Sequence, residues 1–148
     1  MIAITGAGEY LDIIRPYDEI LLNKLKDDPY VLCFPTAAGL ESAERIQYWL
    51  DLGDEHFTKL NVNHKSIRAL NVDDYNKPET LAEIEKANFV YFSGGNPNHL
   101  YETLSTSLAW EKLLTIHNNG GILAGCSAGA MIMGEKMNKG KGFGFFKN

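Results

Sequence analysis

The chain has 148 residues, 45% of them hydrophobic, enough for a single globular domain over 1–148 with a core of its own. Its net charge is −5 and its longest basic cluster is Lys139-Gly-Lys141, which argues against a nucleic-acid partner. Met1-Ile-Ala-Ile-Thr5 has neither a basic n-region nor a long apolar run, no stretch approaches the ~18 apolar residues of a membrane span, and Cys33 and Cys126 have neither disulfide-framework nor metal-ligand spacing. A cytoplasmic protein with no membrane segment, metal or cofactor is the expectation.

Ile2 to Thr5 is a short β-type run stopped by Gly6-Ala-Gly8. That Gly-x-Gly lacks the third glycine of a dinucleotide fingerprint and the Gly-Lys-Ser/Thr of a P-loop, so nucleotide binding there is disfavoured. Pro16 suits a first helical turn, with Tyr17, Ile20, Leu21 and Leu25 on one face and Asp18 outside it. Tyr30 to Pro35 is a nearly continuous apolar run, as in a central parallel strand covered on both faces. Glu41 to Leu52 reads as a helix with Ala43, Ile46 and Leu50 inward and Gly53 as its C-cap. From Phe57 to Leu70 the pattern is weaker, with Ser66 to Leu70 as a strand nearer an edge and Asn71 to Asp74 as a loop. Pro78-Glu-Thr80 opens a helix with Leu81 and Ile84 inside. Asn88 to Phe92 is another buried strand, ended by Ser93-Gly-Gly-Asn96. Two helical patterns follow, Leu100 with Leu104, then Trp110, Leu113, Leu114 and His117, the second broken by Asn118-Asn-Gly-Gly121.

Strands alternating with helices over short loops predict an α/β domain, a three-layer sandwich with a mainly parallel sheet. The loops after the strands then share one rim, where open α/β sheets bind their ligands.

The last such loop carries the chemistry. Ile122 to Ala124 is a short strand running into Gly125-Cys126-Ser127-Ala128-Gly129, and a helix-compatible run extends from Ala128 to Glu135. Gly-x-Ser-x-Gly between strand and helix is the spacing of a nucleophile elbow, where small neighbours let the backbones approach and hold the central side chain out. Ser127 is the candidate nucleophile. The Ala128 N–H, one residue on, is a candidate oxyanion donor, and a second can come from Gly95 or Asn96 at the Gly-Gly turn. Cys126 is the rival nucleophile, but it sits one position before the apex, where a small buried thiol is the commoner role.

A serine hydroxyl needs a base to take its proton. All four histidines, His56, His64, His99 and His117, precede Ser127. His117 reads as a packing residue on a helix, and His56 and His64 read as surface residues. His99 lies near the Gly-Gly turn and, with Asn96, is a candidate for substrate contact. After Ser127 there is neither histidine nor aspartate, and Glu135 is the sole acid.

Phe92-Ser-Gly-Gly-Asn-Pro-Asn-His-Leu100 together with Gly121-Ile-Leu-Ala-Gly-Cys-Ser-Ala-Gly-Ala130 resembles the S51 serine peptidases, which include peptidase E (aspartyl dipeptidase) and cyanophycinase. Gly6-Ala-Gly-Glu9 and Phe34-Pro-Thr-Ala37 match weaker positions of that family. The resemblance implies a flavodoxin-like fold similar to class I glutamine amidotransferases, and Ser127 as nucleophile. It also implies Gly95 and Ala128 as oxyanion-hole amides, and a small, acidic peptide as substrate. In that family the catalytic histidine and its partner acid follow the elbow. The chain therefore reads as a form lacking the C-terminal part, its tail Gly142 to Asn148 resembling the start of a further strand. Three functions compete on this reading: a serine-type peptidase, an amidotransferase-like binding or regulatory domain without a base, and a cysteine amidotransferase-like enzyme using Cys126. A cut sheet edge and exposed Phe145 and Phe146 would favour a homodimer.

Overall fold

Three apolar runs too short for helices become the centre of a sheet: β2 (Tyr30–Phe34), β4 (Phe89–Phe92) and β5 (Ile122–Cys126). In this computed structural model, which describes residues 1–147, they are flanked by β1 (Ile2–Thr5) and β3 (Asn63–Ser66) in the order β1-β5-β4-β2-β3. All four pairings are parallel. Side chains alternate faces along each strand. Val31, Cys33, Phe89, Tyr91, Ile122 and Ala124 therefore pack on one face, while Leu32, Phe34, Val90, Phe92 and Leu123 pack on the other. Each fully buried aliphatic or phenyl side chain of this kind contributes about 1.5–3 kcal/mol.

Helices α1 (Arg15–Leu22) and α2 (Ala43–Lys59) cover the first face. The second is covered by α4 (Pro78–Lys86), α5 (Pro97–Ser105) and α6 (Ala109–Asn118), preceded by a single turn, α3 (Val72–Tyr75). The four-residue helix α7 (Ala128–Met131) follows β5, and a small antiparallel hairpin, β6 (Lys136–Met137) with β7 (Gly140–Lys141), completes the order. The expected three-layer α/β sandwich is what forms. Among the described residues no helix is long and apolar enough to cross a membrane.

Several local expectations are corrected. The strand placed at Ser66 to Leu70 is Asn63–Ser66, a polar, half-exposed edge strand whose identity comes from pairing with β2 rather than from its own hydrophobicity. Asn71 to Asp74 is not an open loop, because the Asn71 side chain accepts from Asp74 N–H and caps α3. Gly53 lies inside α2, close against Cys33 and Ser66, so the helix runs on to Lys59. The helical run expected from Ala128 to Glu135 stops at Met131. The tail folds back, Phe143 N–H and Phe145 N–H donating to Ile132 and Met133 carbonyls at 2.7 and 2.9 Å. Phe145 is half-buried against Trp110 and His117, which leaves Phe146 as the exposed phenylalanine of the pair. Asn148 of that tail lies outside the described residues.

The inner face of α1 also differs. Tyr17 and Ile20 are exposed, whereas Asp18, assigned outside, is buried. Its Oδ2 lies 2.8 Å from Nε2 of His56, itself buried rather than at the surface. A hydrogen-bonded pair can occupy an apolar layer that an isolated carboxylate cannot. Asp18→Ala leaves the imidazole without its partner and is expected to cost about 2–3 kcal/mol. Urea unfolding checks this; a loss under about 0.5 kcal/mol, the scale of a surface substitution, would show that the pair holds nothing in place.

Candidate active site

Strand β5 delivers its last residue, Cys126, to the α1/α2 side of the sheet, and the chain then turns sharply. Ser127 takes φ 50° and ψ −107°, a conformation that costs a non-glycine residue about 1–3 kcal/mol. Its N–H donates to the Thr5 carbonyl at 3.0 Å, tying the elbow to the end of β1. The side chain is exposed, while Cys126 and Ala128 on either side are buried.

The flanking glycines are steric necessities. A β-carbon on Gly129 would stand 2.3 Å from the Phe92 carbonyl oxygen, and one on Gly125 2.3 Å from the Gly129 backbone. The first turn of α7 therefore lies directly on the ends of β4 and β5. Ala128 opens that turn, so its N–H has no acceptor within the helix.

Opposite stands the turn after β4. Gly95 has φ +144°, and a β-carbon there would lie 2.4 Å from the Ala37 carbonyl, so only glycine fits. The Asn96 N–H donates to that same Ala37 oxygen at 2.7 Å. Of the two residues considered as second oxyanion donor, Asn96 thus has its amide committed. Gly95 N–H has no acceptor among the described residues. A β-carbon placed on Gly94 would lie 3.4 Å from Ser127 Cβ and 3.8 Å from its Oγ, so the glycine turn and the serine are immediate neighbours. The 3-10 turn Thr36–Ala38 is the buttress behind it, held by Thr36 Oγ1 donating to the Ala69 carbonyl at 2.7 Å.

The side chains of Asn96 and His99 have structural duties. Asn96 Oδ1 accepts from His99 N–H and caps α5, and His99 Nε2 bonds the Leu70 carbonyl at 2.8 Å. The other imidazoles are also placed elsewhere. His56 faces Asp18, His64 Nδ1 bonds the Val62 carbonyl at 2.9 Å, and His117 Nδ1 meets the N-terminal amine at 3.3 Å. Among the described residues none forms a hydrogen bond with Ser127, and no three His, Cys, Asp or Glu side chains converge as a metal site would require.

Sequence reasoning missed Glu9. Its carboxylate is buried, accepting from Gly94 N–H at 3.0 Å and from the Cys126 thiol at 2.8 Å. Its position just after Gly6-Ala-Gly8 was the available signal. Burial and the adjacent Glu9 carboxylate push the Cys126 thiol up to about 12, which removes the thiolate that a cysteine nucleophile requires.

The α/β sheet thus carries a strained serine in the turn between a strand and a helix, beside a glycine turn on the neighbouring strand end. The sequence profile of peptidase family S51 matches residues 1–143. The chain belongs to peptidase family S51. Among solved structures it is similar to a peptidase from an acI-B1 actinobacterium, with 33% identity and a TM-score of 0.93 over 99% of this chain and 65% of that one. It also resembles a protein of Listeria monocytogenes EGD-e assigned as a peptidase E, with 19% identity and a TM-score of 0.65 over 93% of this chain and 63% of that one, a likeness of fold. The chain thus spans just under two thirds of the length of either. No curated protein matches it.

Two stability measurements check the elbow. Gly129→Ala is expected to lose at least about 2–3 kcal/mol, since backbone rather than a mobile side chain blocks the methyl group. Ser127→Gly is expected to gain about 1 kcal/mol by releasing strain, and a loss would mean that Ser127 is not strained. For the thiol, iodoacetamide at pH 8 should leave Cys126 unmodified in the folded protein and alkylate it in urea; rapid native alkylation would contradict its burial and raised pKa.

Proposed function

We propose that this chain is a serine-type peptidase domain that hydrolyses short peptides, Asp-first dipeptides among them, with Ser127 attacking the scissile carbonyl. The observation that carries the reading is the exposed Ser127 in its strained turn, beside Gly94 of the glycine turn. As Oγ bonds to the carbonyl carbon, the carbonyl oxygen gains negative charge. Amides at Gly95 and Ala128 are fixed by backbone packing before reaction, so they can receive that charge without reorganising. The hydroxyl proton passes to solvent or an added base as Oγ attacks, and collapse of the intermediate breaks the C–N bond as the departing amine takes up a proton; water then hydrolyses the acyl-serine, releasing the acid and restoring the Ser127 hydroxyl.

Among the described residues no imidazole bonds Ser127 to take the hydroxyl proton. The hydrogen bonds of the four histidines run to other groups, which favours a second reading: a domain that binds peptides and lacks the base. An elbow with its donors alone retains only a residue of catalysis over water.

A fluorophosphonate probe separates the two. On the peptidase reading it labels Ser127, labelling is lost in Ser127→Ala and kept in Cys126→Ser, and added imidazole raises the rate by about tenfold, part of the ~10²–10⁴ that a positioned base contributes. No labelling of folded protein with or without imidazole, alongside measurable peptide binding, would leave the binding domain.

A further inference from the structure

Among the described residues, the charged side chain that bonds both the glycine turn and the residue before Ser127 is Glu9, and the elbow mechanism has no use for it as acid, base or nucleophile. One oxygen accepts from Gly94 N–H at 3.0 Å on the glycine turn. The other accepts from the Cys126 thiol at 2.8 Å on the residue before the nucleophile. The two contacts join segments 85 and 117 residues away from Glu9 in sequence. The side chain is 6% exposed, so the bonds are not competed by bulk water. A β-carbon on Gly94 would lie 3.1 Å from the carboxylate and 3.8 Å from Ser127 Oγ, which puts this contact directly behind the reacting atoms.

We propose that Glu9 is a positioning residue for the oxyanion hole: its carboxylate clamps the glycine turn to the elbow, fixing the spacing between the Gly95 and Ala128 amides. The proposal rests on the peptidase reading for its catalytic consequence, but the clamp itself is a statement about geometry. Three consecutive amides meet different fates in that turn. Gly94 N–H is drawn inward by Glu9, Asn96 N–H is drawn to Ala37, and Gly95 N–H between them is left for a ligand. Ala37 holds the outer side of the turn, but without the inner anchor Gly94, which has no side chain, leaves the side facing the elbow unrestrained. The turn would then have to be ordered at the moment of reaction, which is the cost that preorganised donors avoid. The same carboxylate needs the thiol opposite it to keep its proton, because a thiolate there would place two negative charges in one buried pocket. Burial and Glu9 hold the thiol in that state.

The test compares wild type, Glu9→Gln and Glu9→Ala in the full chain, by amide NMR and by the phosphonylation rate of Ser127. In Glu9→Ala the Gly94 amide should exchange at least tenfold faster and the Gly95 order parameter should fall from about 0.85 to below about 0.6. Phosphonylation should fall tenfold or more. Glu9→Gln keeps an acceptor for Gly94 and should stay within threefold of wild type in exchange and rate, while Cys126 titrates at lower pH. A folded Glu9→Ala protein with wild-type Gly95 order overturns the clamp. If Glu9→Ala does not fold, Glu9→Gln decides: an unmoved Cys126 titration means the carboxylate does not join the two segments. If wild type is never phosphonylated, the peptidase reading fails while the NMR comparison still decides the clamp.

Discussion

At the rim of this sheet, backbone meets backbone with no room for a β-carbon. Gly129 lies on the Phe92 carbonyl, Gly125 on Gly129, and Gly95 on the Ala37 carbonyl. These approaches bring the ends of β2, β4 and β5 together at one point, and the remaining geometry follows. Ser127 is forced to positive φ because α7 must start immediately above β5, and that conformation turns its side chain outward. The strain is held by the β5 register with β1 and β4 on either side, which two apolar layers in turn stabilise. A loosely packed sheet could not impose so sharp a turn on a serine.

The polar groups behind the rim follow from the same closeness. A buried carboxylate is tolerable where it accepts bonds from groups that have nowhere else to turn, and Glu9 does so with a backbone amide and a thiol. Cys126 is thereby a proton-bearing strut, its thiol held by burial and by Glu9, although it adjoins Ser127. The Asp18–His56 pair plays a comparable part between α1 and α2, where a histidine is bound into the core instead of serving Ser127. The chemistry of each residue is set by the neighbour its backbone position allows.

The central strands and the elbow were legible because their signals are local. Apolar runs of strand length bounded by glycine and proline, and Gly-x-Ser-x-Gly between strand and helix, state their structure without help from distant residues. That Asn96 N–H is committed to the Ala37 carbonyl, leaving Gly95 beside it as the donor proposed for the oxyanion, was not legible locally, since it depends on a contact 59 residues away in sequence. Glu9, Asp18 and His56 were misread or missed for a shared reason. A charge pattern along one segment says nothing of a partner contributed by another. The polar edge strand β3 had no hydrophobic signature, being specified by its register with β2. The early end of α7 reflects a tail that folds back to bond Ile132 and Met133, a tertiary override of local propensity.

The most direct test of the account is a crystal structure of the protein after reaction with a fluorophosphonate. It predicts a phosphorus–oxygen bond to Ser127 Oγ, with one phosphonyl oxygen about 2.7–3.1 Å from the amide nitrogens of both Gly95 and Ala128. An adduct whose oxygens face solvent with those two amides unengaged, or one formed on another residue, would contradict it.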